Sequence, residues 1–134
     1  MKIFLASHGN LASGMKSSVD ILLGNSENIV IFDAFVDEQN INDVLSKFFS
    51  EVKNEQVIMM SDLYGGSVNQ VMSLYLNRPN TLLIAGVNLA LVLEIAIKCQ
   101  DISKEEVLSI INQSKEAIHL VDLDQVKLSE DDFF

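Results

Sequence analysis

The sequence predicts a doubly wound α/β fold, in which helices cover both faces of a mainly parallel sheet. Short apolar runs rich in β-branched residues alternate along the chain with longer segments of helical period. Such alternation produces βαβ units, whose right-handed crossovers place helices on the faces of the sheet. The 134 residues contain no linker, repeat or low-complexity tract, so we expect residues 1–134 to form a single domain.

Four strands are predicted where short apolar runs are bounded by turn residues. They lie at Lys2 to Ser7, Asn28 to Phe35, Gln56 to Ser61 and Thr81 to Ala85. We expect them to pair in the order 2-1-3-4, which is common in doubly wound sheets. The first and third strands are then neighbours, and their carboxyl ends meet at the crevice where such folds bind ligands.

Five helices are predicted from apolar residues that recur every three or four positions. Their apolar stripes are Leu11, Met15, Val19 and Leu22; Ile41, Val44, Leu45 and Phe48; Val68, Val71, Met72 and Tyr75; Leu89, Val92, Leu93 and Ala96; and Val107, Ile110, Ile111 and Ile118. Asn88 is the predicted cap of the fourth helix, although alternation in this segment leaves a strand open. Ser103 and Glu106 have the spacing of a capping box at the start of the fifth.

The end of the chain is predicted to form a last short strand at His119 to Leu123. The tail from Asp124 to Phe134 mixes charged residues with a terminal pair of phenylalanines. We expect this tail either to fray or to dock on a neighbouring subunit through those two rings.

Composition and hydropathy exclude two kinds of partner. The net charge of −10 disfavours nucleic acid, because binding to its phosphates depends on clustered Lys and Arg. The apolar run from Leu82 to Ile97 is interrupted by Asn88 and Glu94 and is shorter than the roughly 20 residues that span a membrane. The first strand is too short for the apolar core of a signal peptide. We therefore expect a cytoplasmic protein without direct membrane insertion.

No metal and no cofactor are expected. The two histidines, His8 and His119, lack the spacing of a metal-binding pair, and a single cysteine, Cys99, allows neither an internal disulfide nor a cysteine-based zinc site. We expect Cys99 to be buried at the end of an apolar helix. The chain has neither a Walker loop nor a G-x-G-x-x-G fingerprint, so no nucleotide site is predicted.

A histidine and an aspartate follow the two strands that are predicted to be central. His8 stands in Ser7-His8-Gly9-Asn10, directly after the apolar run of the first strand. Asp62 begins the loop Asp62-Leu63-Tyr64-Gly65-Gly66-Ser67 after the third strand. Taken alone, Asp62 is better explained as a helix cap or turn residue, and Gly65-Gly66 as a tight turn. Their joint placement at one crevice favours a functional site.

The predicted chemistry of this site is phosphoryl transfer through His8. A carboxylate at Asp62 that accepts a hydrogen bond from one ring nitrogen would leave the lone pair of the other nitrogen free to attack phosphorus. Backbone N–H groups at glycine-rich helix starts can neutralise phosphoryl oxygens. The predicted catalytic residues are His8 and Asp62, and the predicted phosphate-supporting residues are Gly9, Asn10, Gly65, Gly66 and Ser67.

The chain resembles enzyme IIA of the mannose-type sugar phosphotransferase system from Met1 to about Val121. The resemblance rests on Ser7-His8-Gly9, on the block from Asp62 to Ser67 and on Ala85-Gly86-Val87-Asn88-Leu89. It implies that the histidine matching His8 accepts phosphate from a small histidine-containing phosphocarrier protein and passes it to a IIB component. The IIB component phosphorylates sugar that enters through the membrane proteins IIC and IID. The aspartate matching Asp62 supports the histidine.

The resemblance also implies a homodimer, in which the strand at His119 to Leu123 crosses to the partner's sheet and pairs antiparallel there. Two positions depart from the family pattern, because Val68 and Ala90 stand where proline is frequent. Neither position carries reactive chemistry, so the departures leave the transfer reaction intact. They make the sugar branch harder to assign, and the sequence does not name the sugar.

Three other functions fit part of the pattern. A histidine phosphatase needs several basic residues around its phosphate, and Arg78 is the one arginine of this chain. A non-catalytic flavin or nucleotide module could use the same crevice, although the chain lacks tryptophan. A phosphotransfer domain that serves a dihydroxyacetone kinase shares the fold and the histidine, and only its partner separates it from enzyme IIA.

Overall fold

The computed structural model describes residues 1–125, and its strands and helices alternate as the sequence predicts. The strands are β1 (Lys2–His8), β2 (Ile29–Ala34), β3 (Val57–Ser61) and β4 (Thr81–Ala85). The helices are α1 (Leu11–Leu23), α2 (Ile41–Glu51), α3 (Ser67–Ser73), α4 (Leu89–Ala96) and α5 (Lys104–Glu116), with single 3₁₀ turns at Leu74–Asn77 and Leu123–Gln125. The segment after Asn88 is thus a helix, and the strand that its alternation left open does not form.

The sheet is parallel and has the predicted order β2-β1-β3-β4. The two central strands read as nearly continuous apolar runs because both of their faces are covered by helices. Along β1, Ile3 and Leu5 belong to one core cluster, whereas Phe4 and Ala6 belong to the other. This two-residue alternation divides the interior into two layers, one on each side of the sheet.

Each layer is closed by the helices that the apolar stripes predict. On one side, Val19 of α1, Val92 of α4 and Val107 of α5 pack against the sheet. On the other side, α2 and α3 contribute residues such as Phe48, whose ring lies 5.1 Å from that of Phe4. None of the helices described over residues 1–125 is both long enough and apolar enough to cross a membrane.

Side-chain caps set the starts of three helices. The side-chain Oδ1 atom of Asn88 accepts a hydrogen bond from the Leu91 N–H at 2.9 Å, so the predicted cap of α4 is confirmed. Ser103 accepts from the Glu106 N–H at 3.1 Å at the start of α5. The Glu106 carboxylate, which is the second member of the predicted capping box, pairs with the Lys98 ammonium at 3.3 Å. Asn40 caps α2, which the sequence analysis did not predict.

Two expectations for the second half of the chain differ from the structure. Cys99 is exposed rather than buried, because α4 ends at Ala96 and the chain leaves the core there. Residues His119–Leu123 form no strand in the single chain, and Leu123 instead begins a 3₁₀ turn. A strand that pairs with another subunit's sheet needs that subunit, so the exchanged strand stays a prediction. Residues 126–134, most of the predicted tail, lie outside the described residues.

Asp20 connects the end of α1 to the loop before β2, and this connection is expected to weaken in acid. Its carboxylate accepts hydrogen bonds from the Ser26 hydroxyl and N–H and pairs with Lys16. These contacts, the Ser26 hydroxyl first, lower the pKa of Asp20 from its ordinary 3.8 to about 2. Because the pKa is lowered in the folded state, the stabilisation is complete above the ordinary pKa and is lost as the pH falls through the lowered one.

We therefore expect Asp20→Asn to lower the free energy of unfolding at pH 7, with a deficit that shrinks between about pH 4 and pH 2. Urea unfolding of both proteins at a series of pH values measures this difference. Glu51→Gln, which also removes one negative charge from a helix end, serves as the control. An Asp20→Asn deficit that is constant from pH 7 to pH 2 would contradict the expectation.

Candidate active site

The carboxyl ends of β1 and β3 bring the two predicted loops together. Ala6 of β1 pairs in register with Ser61 of β3, so both strands end at the same edge of the sheet. His8 is the last residue of β1, and Asp62 directly follows β3. Although 54 positions separate them in the sequence, their side chains are in direct contact. The structure thus places both predicted catalytic residues at the topological switch point of the fold.

Asp62 contacts both the ring and the backbone of His8. The His8 Nδ1 atom lies 3.0 Å from Oδ2 and 3.2 Å from Oδ1 of Asp62, and the His8 backbone N–H donates to Oδ2 at 3.1 Å. An ionised carboxylate only accepts hydrogen bonds, so Nδ1 carries the proton and Nε2 carries the lone pair of the neutral ring. The Asp62 side chain is 14% exposed and that of His8 39%. The imidazole of His8 is therefore partly accessible to solvent, while the Asp62 carboxylate is largely shielded.

Gly66 brings the start of α3 against the imidazole ring. A Cβ atom at this position would lie 3.3 Å from His8 Cε1, closer than most such contacts. Gly65, by contrast, has open space around it and a φ of +75°, a left-handed conformation that favours glycine. The two glycines thus have different functions, since Gly65 turns the chain and Gly66 permits close approach.

The first turn of α3 offers backbone donors next to this contact. The first hydrogen bond within the helix runs from the Gln70 N–H to the Gly66 carbonyl at 3.0 Å. The N–H groups of Ser67, Val68 and Asn69 precede that bond and have no partner inside the helix. Gly66 and Ser67 lie at this helix start, and their predicted support of phosphate stays a prediction.

The start of α1 differs, because its donors already bond to protein groups. The Ala12 N–H donates to Ser7 Oγ at 2.7 Å, and the Ser13 N–H donates to Asp33 Oδ1 at 3.0 Å. The Gly9 N–H donates to the Ala34 carbonyl at 2.8 Å. These three N–H groups already donate to protein oxygens. The start of α3 is therefore better suited than the start of α1 to bind an anion.

Gly9 and Asn10 form the turn between β1 and α1. Gly9 has a φ of +61°, and the exposed Asn10 is the N-cap residue of α1, although its side chain makes no capping hydrogen bond. The Asn10 carbonyl accepts from the Gly14 N–H and from the Ser13 hydroxyl. Both residues lie beside His8, and their predicted support of phosphate stays a prediction.

Three residues of the site were missed from the sequence. Ser7 and Asp33 cap α1, and the β1–β2 register places them directly opposite each other. The predicted strand order makes β1 and β2 neighbours but does not fix which of their residues pair. Phe35, whose ring centroid lies 5.6 Å from that of His8, follows the end of β2 with a φ of +67°. No sequence pattern signals such a conformation for a phenylalanine.

Exposed apolar side chains, called here the apolar rim, lie on the loops at the sheet edge that carries His8. Five large apolar side chains on the segments that follow β1, β2 and β3 are exposed: Leu11, Phe35, Val36, Leu63 and Tyr64. Exposed apolar groups in one region commonly mark a surface that contacts another protein. Tyr64, at 84% exposure, is the most exposed of the five.

Arg78, a basic residue of the kind that a phosphatase needs around its phosphate, lies away from His8. Arg78 donates to the backbone carbonyls of Lys53 and Glu55 at 2.7 Å, just before β3 begins. It therefore lies near the amino end of the strands, opposite the edge that carries His8. Among residues 1–125, no group of three or more His, Cys, Asp or Glu side chains has the arrangement of a metal site.

The fold and the His8–Asp62 pair together define a doubly wound α/β domain with an accessible histidine held by a carboxylate. The chain belongs to the PTS system fructose IIA component family, whose model matches residues 2–112. It is therefore a IIA component of the mannose and sorbose type of the sugar phosphotransferase system, as the resemblance implied.

Known relatives agree with this assignment. The chain is 25% identical to the sorbose-specific EIIA component of Lacticaseibacillus casei, over 99% of this chain and 100% of the relative. It superposes with a TM-score of 0.81 and 27% identity, over 89% of each chain, on a Klebsiella pneumoniae subsp. pneumoniae MGH 78578 protein proposed to be a phosphoenolpyruvate-dependent sugar phosphotransferase system permease. The mannose/sorbose-specific IIA subunit of Enterococcus faecalis shares the fold, with a TM-score of 0.80 and 24% identity over 94% of this chain and 98% of that one.

Proposed function

We propose that this protein is a cytoplasmic phosphocarrier that accepts a phosphoryl group on Nε2 of His8 and passes it to a IIB component. The donor is a small histidine-containing phosphocarrier protein. The observation that carries the proposal is the contact between His8 Nδ1 and Asp62, because it leaves the lone pair on Nε2 of a side chain that is 39% exposed. Membrane components IIC and IID are served indirectly, through IIB.

The transfer step follows from this tautomer. The lone pair of Nε2 attacks the phosphorus of the donor's phosphohistidine, and the donor's N–P bond breaks with its electron pair returning to the donor imidazole. His8 thereby becomes a phosphoimidazolium whose Nδ1–H still faces Asp62. The negative carboxylate stabilises that positive ring. In the second step a nucleophilic group of IIB attacks phosphorus, and His8 returns to its original neutral tautomer.

The start of α3 supports the phosphoryl group in this proposal. Gly66 allows the backbone to approach the ring, and the N–H groups at and after Ser67 have no partner within the helix. Such groups hydrogen-bond phosphoryl oxygens and carry the positive end of the helix dipole. Because amide groups are neutral, they stabilise the phosphoryl group without placing a second positive charge beside the imidazolium.

The surface around His8 suits a protein donor and a protein acceptor. The apolar rim can be covered by a partner, and the net charge of −10 attracts partners with basic contact surfaces.

The proposal is tested by incubating the chain with the phosphocarrier protein, phosphoenolpyruvate and the kinase that phosphorylates the phosphocarrier protein. The chain should gain one acid-labile, base-stable phosphate and lose it when IIB is added. A phosphorylated chain that transfers only to a dihydroxyacetone kinase would contradict the assignment of the acceptor.

We further propose that the protein is a homodimer formed by exchange of the segment His119–Leu123. Leu120, Val121 and Leu123 in this segment are all exposed in the single chain. β4 is an edge strand with free backbone groups, and a cleft of about 500 Å³ beside it is lined by apolar side chains such as Leu76 and Leu83. Pairing of the segment with the partner's β4 would cover both the segment and the edge.

The dimer is expected to dissociate when a charge is placed in the exchanged segment. Leu120 is 96% exposed in the single chain, so Leu120→Asp leaves the subunit itself unperturbed. It would bury an unpaired charge in the dimer, and we expect dimerisation at least about 100-fold weaker. Sedimentation equilibrium measures the dissociation constant. Ile21→Asp, at an exposed position of α1, should remain dimeric. A wild-type monomer, or a dimeric Leu120→Asp variant, would contradict the exchange.

A further inference from the structure

Phe35 combines two unusual properties at the edge of the site. Its side chain is 73% exposed, which is high for a large aromatic group. Its backbone φ of +67° lies in the left-handed region, which residues with a bulky side chain rarely adopt. A turn of this shape alone would be served better by glycine or asparagine. The presence of a phenylalanine is therefore explained by what its ring contacts.

The ring of Phe35 lies against the imidazole of His8. The two centroids are 5.6 Å apart and the planes are inclined by 31°, which is a tilted arrangement. Asp62 holds the Nδ1 edge of the same imidazole, and Gly66 adjoins its Cε1 atom. Phe35 contacts the face of the imidazole, whereas Asp62 and Gly66 contact its edge. The Phe35 ring therefore restricts rotation of the imidazole out of its plane.

We propose that Phe35 is a positioning residue for phosphoryl transfer, an inference that rests on the proposed function of His8. A hydrogen bond at Nδ1 alone lets the imidazole tilt about its bond to Cβ. The Phe35 ring limits this tilt and keeps the Nε2 lone pair in line with the incoming phosphorus. Alignment of this kind contributes strongly to transfer rates, since small misplacements of reacting atoms are costly. The left-handed backbone is what brings the Phe35 ring to His8.

Two substitutions separate the ring from the turn. Asparagine tolerates the left-handed conformation, so Phe35→Asn removes the ring while the backbone keeps its course. Phe35→Tyr keeps an aromatic ring at the same place. Tyr64→Asn removes the other exposed aromatic side chain of the apolar rim and is the matched control.

The rate of phosphorylation with two donors tests the role of Phe35. Phosphoramidate transfers its phosphoryl group to histidine with release of ammonia and needs no protein docking, whereas the phosphocarrier protein must dock. We expect Phe35→Asn to slow labelling by both donors about 5- to 10-fold, in keeping with the strength of aromatic pairs. Phe35→Tyr should be labelled at the wild-type rate by both donors. Tyr64→Asn should be labelled by phosphoramidate at the wild-type rate.

Two results would overturn the proposal in distinguishable ways. If Phe35→Asn is labelled by phosphoramidate at the wild-type rate, Phe35 is not a positioning residue, and slower labelling by the protein donor alone would make it a docking contact. If the wild type is labelled by neither donor, the proposed function fails and the role of Phe35 with it. The ring-current shift of the His8 ring protons in NMR spectra checks the contact without phosphate. It should disappear in Phe35→Asn and persist in Phe35→Tyr.

Discussion

Replacement of His8 by alanine is expected to abolish phosphorylation of the chain completely. The reason is that Nε2 of His8 is the nucleophile in the proposed mechanism, and alanine leaves no atom that can form the N–P bond. The measurement is the mass of the chain after incubation with the phosphocarrier protein, phosphoenolpyruvate and the kinase that phosphorylates the phosphocarrier protein. Wild type should gain one phosphate, and His8→Ala should gain none.

The second histidine of the chain provides a matched control. His119 lies after α5, in the segment that forms no strand in the single subunit, and has no contact with Asp62 in the structure. His119→Ala should therefore be phosphorylated to the same extent as wild type. A His8→Ala variant that still takes up acid-labile phosphate would refute the assignment of the nucleophile. Unfolding is not an alternative explanation if the far-UV spectrum and the melting temperature of His8→Ala match those of wild type.

Replacement of Asp62 by alanine should leave the fold intact and slow the transfer strongly. The carboxylate is mostly buried and bonds to both the ring and the backbone of His8. Loss of such a partner costs about 1–3 kcal/mol, which corresponds to a rate about 5- to 150-fold lower. Rapid-quench measurement of the first transfer step gives the rate, and the extent of labelling at equilibrium gives the stability of the phosphorylated form.

Two further variants separate the parts of this effect. Asp62→Asn keeps an oxygen that can accept from Nδ1–H but lacks the charge, so the transfer rate should fall less than in Asp62→Ala while the phosphorylated form still accumulates less. Asp33→Asn changes another carboxylate at the same end of the sheet, one that caps α1 rather than contacting His8. It should transfer at nearly the wild-type rate. An Asp62→Ala variant with unchanged kinetics would reduce Asp62 to a turn residue.

The parts of the structure that depend on local pattern could be predicted from the sequence. The strands, the helices and the parallel order follow from periodicity and from the rules for βαβ crossovers, and these place His8 and Asp62 at the same edge. Contacts between side chains on neighbouring strands were missed, as with Ser7 and Asp33, because they require the register of individual residues. The order of the strands alone does not fix that register.

Other features lie beyond what a single sequence specifies. The left-handed backbone at Phe35 contradicts the preference of its own residue type and is determined by tertiary contacts. Cys99 was expected to be buried because the apolar run continues to it, yet the helix ends three residues earlier. The predicted strand at His119–Leu123 needs a second copy of the chain to pair with, so it cannot form in a single copy.

If His8 carries a phosphoryl group as proposed, the position of Arg78 far from His8 affects how that group is released. In phosphate-binding sites built from arginine clamps, ionic bonds hold the group after the reaction and must break before it departs. Here the proposed cradle consists of neutral amides, so the single N–P bond is the main attachment. When an acceptor forms its own bond to phosphorus, little else retains the group. Such an arrangement favours rapid relay in either direction over storage.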